Sequence, residues 1–134
     1  MVERGEPTQR IERLPFDLSN NTRFEYKSES IWVYPNAKSD LSENNPAKFK
    51  VTPNSSGGGR GIMVWLHESI PLKFREVVLH HELVESDLML HQGMSRSEAH
   101  KNALISHKEY AKQFLSKADY KEFMAWETTV GYTH

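Results

Sequence analysis

The sequence predicts an α+β fold: a small N-terminal sheet of short strands packed on a C-terminal helical hairpin plus a short third helix. Two observations carry this expectation. Up to about residue 68, brief runs of alternating or β-branched residues are separated by Pro, Asn and Gly, as strands are separated by turns. Beyond that point, apolar residues recur at helical spacing between recognisable start and stop signals. A chain of 134 residues with 37% apolar content is sized for one domain with a modest core.

Residues 1–10 are polar and charged, contain Gly5 and Pro7, and read as a flexible lead-in to a single domain over 11–134. Thr22-Arg23-Phe24-Glu25-Tyr26 alternates polar and apolar, and Ser30-Ile31-Trp32-Val33-Tyr34 is aromatic and β-branched; both predict strands. Pro35-Asn36 is expected to stop the second, and residues 36–47 have the composition of a loop. Phe49-Lys50-Val51 predicts a short strand closed by Pro53-Asn54. Gly61-Ile62-Met63-Val64-Trp65-Leu66 predicts another, with the run Ser55 to Gly61 joining two neighbours. That run lacks the Gly-Lys-Ser/Thr ending of a phosphate-binding P-loop.

Ser69 as N-cap and Pro71 in the first turn start a helix expected to reach Gln92, with Gly93 as its stop. Ser95-Arg96-Ser97-Glu98 is a capping box opening a second helix that should end near Leu115, with Ala99, Ala103, Leu104, Ala111 and Phe114 along one side. A third helix is expected over Lys117 to Glu127.

Composition narrows the function classes. With 17 basic and 18 acidic residues the net charge is −1, so no nucleic acid and no anionic membrane is expected as a partner. No apolar run approaches the roughly 20 residues that span a bilayer. The opening Met1-Val2-Glu3-Arg4-Gly5-Glu6 lacks a signal-peptide pattern, so a cytoplasmic protein is the expectation. There are no cysteines, and any metal site must use His, Asp or Glu.

One stretch stands apart from this bland background, His80-His81-Glu82-Leu83-Val84-Glu85 in the first long helix. On a helix, His81 and Glu85 lie one above the other, on a face otherwise made of Phe74, Val77, Val78 and Leu88. An imidazole and a carboxylate within an apolar stripe are costly unless paired, and a divalent metal would satisfy both. Glu82 is displaced by about 100° around the axis. The order His81-Glu82-Leu83-Val84-Glu85 is that of H-E-x-x-H with a carboxylate in place of the second imidazole.

This run, preceded by the strand at 62–66, resembles the core of zincin-type metallopeptidases, a likeness covering roughly residues 61–110. The resemblance implies Zn²⁺ or another divalent transition metal, with His81 and Glu85 as ligands and Glu82 as general base toward a water activated by the metal. It implies hydrolysis, most simply of a peptide bond in a peptide or protein substrate, and substrate backbone adding to the edge of strand 61–66. The family normally carries His where this chain has Glu85. That lowers the charge of the site and makes its water less acidic.

A third ligand is expected from the next helix. His100 and His107 both fall on its Ala103, Leu104 and Ala111 side, about 10.5 Å apart along the axis, so one metal should not take both. His100 is favoured for its small neighbours Ala99 and Ala103, with His107 the alternative; the other histidine would orient a ligand or donate to substrate. His80 is expected to be exposed, and His67 and Glu68 to be solvated. His91 complements the helix dipole. Trp32, Trp65 and Trp126 read as core and sheet-face residues, and Glu109 and Tyr110 as packing near the level of His81. Arg60 and Arg75 could bind a substrate carboxylate or phosphate. The alternative function is a non-catalytic metal-binding or protein-interaction domain, a degenerate zincin relative.

Overall fold

The structure, a computed structural model, describes residues 13–14, 18–27, 29–38, 46–53 and 60–130. The lead-in expected over residues 1–10 and most of the loops expected at 36–47 and 54–61 lie outside them. Four strands, β1 (Thr22–Tyr26), β2 (Glu29–Ala37), β3 (Ala47–Pro53) and β4 (Arg60–His67), precede a 3₁₀ turn (Leu72–Phe74). Three helices follow, α1 (Arg75–His91), α2 (Arg96–Phe114) and α3 (Lys117–Val130). The fold is α+β, with the sheet first and the helices after it.

The sheet runs β1-β2-β4-β3; β2 and β4 are parallel, and the two outer pairs are antiparallel. Alternate residues Ile31 and Val33 of β2 and Ile62, Val64 and Leu66 of β4 are buried, as the period of two requires. They form one cluster with Val77, Val78, Leu79 and Leu83 of α1, Tyr110 and Ala111 of α2 and Phe123 of α3. Helix α1 packs against the sheet on one side and α2 on the other. This double cover explains why apolar residues surround so much of its circumference.

Three details depart from the sequence reading. β2 continues through Pro35 to Ala37, because the ladder slips between the Tyr34–Trp65 and Ala37–His67 pairs. A proline without an N–H fits such an irregular stretch. Ser69 does not cap α1: its hydroxyl pairs with His67 Nδ1 at 2.7 Å, and the chain enters α1 through the 3₁₀ turn with no side-chain cap. β4 is an interior strand, so the substrate edge expected at 61–66 does not exist; β3 is the outer strand on that side. The apolar run Ile62 to Leu66 suits a central position.

The hairpin turn was legible in advance. Gly93 takes φ +67°, a value that favours glycine, and the Met94 N–H folds back to the Leu88 carbonyl at 3.2 Å. Ser95 caps α2 in a capping box with Glu98. Arg75 is buried, its guanidinium donating to the carbonyls of Ile70, Leu18 and Glu68 and to Asn36 Oδ1. It therefore ties the start of α1 to the sheet, and the substrate-binding role considered for it is corrected.

Gly61 has a packing reason to be glycine. A Cβ there would overlap the Trp32 ring and sit 3.2 Å from Thr52 Oγ1. The substitution Gly61→Ala is expected to cost about 1–3 kcal/mol, the usual range for overpacking a tight site. An unchanged urea midpoint would show that Trp32 moves freely out of the way.

Candidate metal centre

The centre is built by the α1–α2 hairpin. Helix α1 places His81 and Glu85 one turn apart, and the short connection through Gly93 returns α2 alongside it. The small residues Ala99 and Ala103, both fully buried, bring the two helices close together. His100 therefore reaches the His81–Glu85 pair from across the hairpin.

Three ligand-type atoms meet there. His81 Nε2 lies 3.1 Å from Glu85 Oε1 and 3.2 Å from His100 Nδ1, and His100 Nδ1 lies 3.3 Å from Glu85 Oε1. The triangle is nearly equilateral. His81 and Glu85 are buried, at 1% and 5% exposure, while the His100 side chain keeps 24%. The open side of the cluster is therefore at His100. Arg96, the first residue of α2, also reaches it: its Nη1 is 3.5 Å from Glu85 Oε2, and its guanidinium lies over the Phe49 ring of β3.

His107 occupies a different place. Its Nδ1 is 2.9 Å from His81 Nδ1, on the far side of that ring from the triangle. Its Nε2 is 2.9 Å from Glu127 Oε2 of α3, and both residues are fully buried. A continuous chain thus runs Glu127–His107–His81–Glu85 through the interior. Glu82 is buried at 5% beside His81 on α1, and it is not one of the three groups whose ligand atoms converge.

Electrostatics favour the ligand-ready protonation state. Burial holds the His81 imidazolium down to about 4, reinforced by His107 and His100 and opposed by Glu85. Burial, the largest single influence on Glu85, pushes its carboxyl upward. The hydrogen bonds and charges of His81 and His100 together outweigh it, so the carboxyl is lowered below its ordinary value. At neutral pH the pair is therefore a neutral imidazole and a carboxylate, the forms that bind a metal.

The sequence-predicted residues now have places. His81, Glu85 and His100 converge, His107 stands behind His81, and Glu82 flanks them. His80 was expected to be exposed and is not: its Nε2 pairs with Ser106 Oγ at 2.8 Å and its ring stacks on Tyr110 at 4.5 Å. Its face of α1 is covered by α2, and burial, with His107 and His81, also pushes its imidazolium to about 4. Tyr110 is fully buried, its hydroxyl donating to Glu76 Oε1 at 2.8 Å, whereas Glu109 is exposed. Arg60, considered as a substrate-binding residue, has no described side chain.

Glu127 was missed. The available signal was the one that singled out Glu85, a carboxylate within an apolar stripe, here Tyr120, Phe123 and Val130 at helical spacing on α3. Arg96 was missed as well, and its neighbour Ser95 explains why, since the local pattern reads only as a helix cap.

No helix of the described residues is long and apolar enough to cross a membrane. Comparison of the chain with protein-family models, with curated proteins and with solved structures found no match.

Proposed function

We propose that the protein is a zinc-dependent hydrolase whose metal, Zn²⁺ or another divalent transition ion, is held by His81 Nε2, Glu85 Oε1 and His100 Nδ1. The observation that carries this reading is the triangle of 3.1, 3.2 and 3.3 Å between those atoms. An ion bonded at about 2.0–2.2 Å to three tetrahedrally disposed N and O ligands needs them about 3.3–3.6 Å apart. The donor set of two imidazoles and one carboxylate fits Zn²⁺ and similar borderline ions, and three protein ligands are the complement of a catalytic site.

A bound ion would supply Lewis acidity toward a substrate carbonyl and make water at its remaining position more acidic. The chain's own residues do the rest. Glu82 takes a proton from the attacking water and returns it to the leaving group, most simply the amine of a cleaved peptide bond. The partly exposed His100 side is the route by which substrate arrives, with Arg96 at its rim. Glu85 in place of an imidazole lowers the site's positive charge, which leaves more of the proton abstraction to Glu82.

A second reading, metal binding without turnover, is favoured by one observation: β4 is interior, so the strand expected to receive substrate backbone offers no free edge. Both readings are testable on untagged protein. Stoichiometric Zn, Mn, Ni or Fe in the purified protein is the expected result. Absence of all four, together with no thermal shift on adding them, would sink the metal site.

Glu82→Gln then separates the two readings. It should retain the metal and lose hydrolysis of a peptide library by about 10²–10⁴-fold, the usual contribution of a general base. Undiminished hydrolysis by this variant would refute the mechanism. A metal-loaded wild type inert toward the library would favour the second reading.

A further inference from the structure

We propose that the face of the sheet turned away from the helices binds single-stranded RNA, with bases stacked on Trp32, Tyr34 and Trp65 and phosphates met by cations at the margins. This surface is separate from the metal centre, and nothing in it depends on a metal.

The period of two that buries Ile31, Val33, Ile62 and Val64 on the helix side turns the residues between them outward. Across the sheet, in register, one outward row reads Arg23, Trp32, Met63 and Lys50. The next reads Tyr34, Trp65 and Lys48. Each row has an apolar middle and a cation at its margin, on β1 and β3 for the first and on β3 for the second. Trp32, Tyr34, Met63 and Trp65 are half-buried, and none of them joins the core cluster of the described residues.

The rings are laid out for stacking. Trp32 lies across the sheet in the space that a Cβ on Gly61 would fill, and the Arg23 guanidinium is 5.3 Å from its centroid. Tyr34 and Trp65 stack at 5.8 Å with 22° between their planes, and Lys48 Nζ is 5.2 Å from the Trp65 centroid. Beside that pair opens a cleft of about 360 Å³ lined by Tyr34, Trp65, Asn21, Asn36, Lys38 and Lys48. Its volume falls within the range of small-ligand sites. The two rings offer a base a flat wall, and the two ammonium groups suit its phosphate.

Charge decides the occupant. Against Arg23, Lys48, Lys50 and the adjacent Lys38, the outward positions of the described strands carry one carboxylate, Glu25. It is held by Arg23 at 3.5 Å and by Ser30 at 3.0 Å. The even balance of the whole chain, 17 basic and 18 acidic residues, is therefore not shared by this surface. A second copy would set like charges against like. A neutral glycan would leave the cations unused, and an acidic peptide would leave the rings without flat partners. A single strand of nucleic acid supplies both an anionic backbone and aromatic faces. RNA is favoured over DNA because its loops and ends offer unstacked bases, which a duplex withholds.

Fluorescence anisotropy of a labelled, unstructured RNA of about twelve alternating cytidines and adenosines, titrated with the full chain at about 50 mM salt, tests this. Saturable binding is expected, with log K falling by about 0.7 for each phosphate neutralised as log salt rises. Lys50→Gln, at an exposed side chain, should reduce that slope by about 0.7. Tyr34→Ala and Trp65→Ala should each weaken binding about 5–150-fold, the loss of one stacked base. Wild-type tryptophan fluorescence should be quenched by the RNA, a readout that needs no variant to fold.

No binding at up to about 100 μM protein, the weak end of non-specific nucleic-acid association, would overturn the proposal. So would an unquenched tryptophan signal, or undiminished binding by folded Lys50→Gln, Tyr34→Ala and Trp65→Ala proteins. Displacement by polyglutamate as effective as by unlabelled RNA would make the surface a site for acidic peptides instead. Binding of the same sequence as DNA but not as RNA, or loss of binding in EDTA, would also refute it.

Discussion

His100→Ala is expected to abolish the stabilisation that Zn²⁺ should give the wild type through the proposed site, at a smaller cost to the metal-free protein from the lost His100 Nδ1 contacts with Glu85 and His81. A residue in the proposed site contributes separately to the metal-free fold and to metal binding. His100 keeps 24% of its side chain exposed, and its buried Nε2 has no hydrogen-bond partner among the described residues. Truncating it removes little packing and no satisfied hydrogen bond at that nitrogen, although the Nδ1 contacts with Glu85 Oε1 and His81 Nε2 are lost. It also removes one corner of the triangle, leaving His81 and Glu85 as a two-ligand site.

Metal that binds only the folded state, at about 100 times its dissociation constant, stabilises by about 2.7 kcal/mol. For a domain of this size that is a Tm increase of about 10 °C. Calorimetry of both proteins with and without Zn²⁺ reads the difference directly. An equal increase in wild type and His100→Ala would place the metal elsewhere. His81→Ala is a poorer test, because His81 also holds His107 and sits in the core; its variant would lose stability for reasons unrelated to metal.

How much of this was readable beforehand depends on the range of the interaction. The α2 capping box and the Gly93 stop are set by residues a few positions apart, and both were legible. So was the strand β4. The Pro35 stop was not, because the proline is accommodated by a slip against β4, a strand distant in sequence. His80 was misjudged for the same kind of reason. Its neighbours Lys73, in the 3₁₀ turn, and Glu76 and Asp87, on α1, are polar, but α2 covers that face and offers Ser106 and Tyr110.

The candidate site divides in the same way. The pairing of His81 with Glu85 is a property of one helix, and the preference for His100 over His107 rested on the small neighbours Ala99 and Ala103 that let the two helices approach. Glu127 required knowing where a third helix lies. Its polar charge in an apolar stripe could have raised suspicion, but nothing in the sequence assigns it to His107. The position of β4 required the order of the strands, which local pattern does not determine.

Acidification is the second large effect. His81 is held to about 4 in the folded protein, against an ordinary value of 6.5. Between those values the unfolded chain binds a proton that the folded one does not, so unfolding is favoured as the pH falls. The stability is fully present above about pH 6.5 and is lost progressively toward pH 4, on the order of 3 kcal/mol for His81 alone. His80, also held to about 4, acts in the same direction and interacts with His81, so the two losses are coupled rather than simply additive. Glu85 adds at the acid end: its carboxyl is lowered on folding, so its contribution is present above its ordinary value and disappears as the pH drops through the folded one.

Urea unfolding of the metal-free protein at several pH values between 7.5 and 4 should therefore show a falling midpoint with an unchanged slope. Zn²⁺ affinity should fall over the same window, since protons and metal compete for the same nitrogen. His80→Phe should remove part of the pH dependence without affecting metal binding, because His80 lies outside the triangle and faces Ser106. A midpoint independent of pH down to 4 would mean that these imidazoles are hydrated in solution, and that the burial which makes His81 a ligand-ready base is not there.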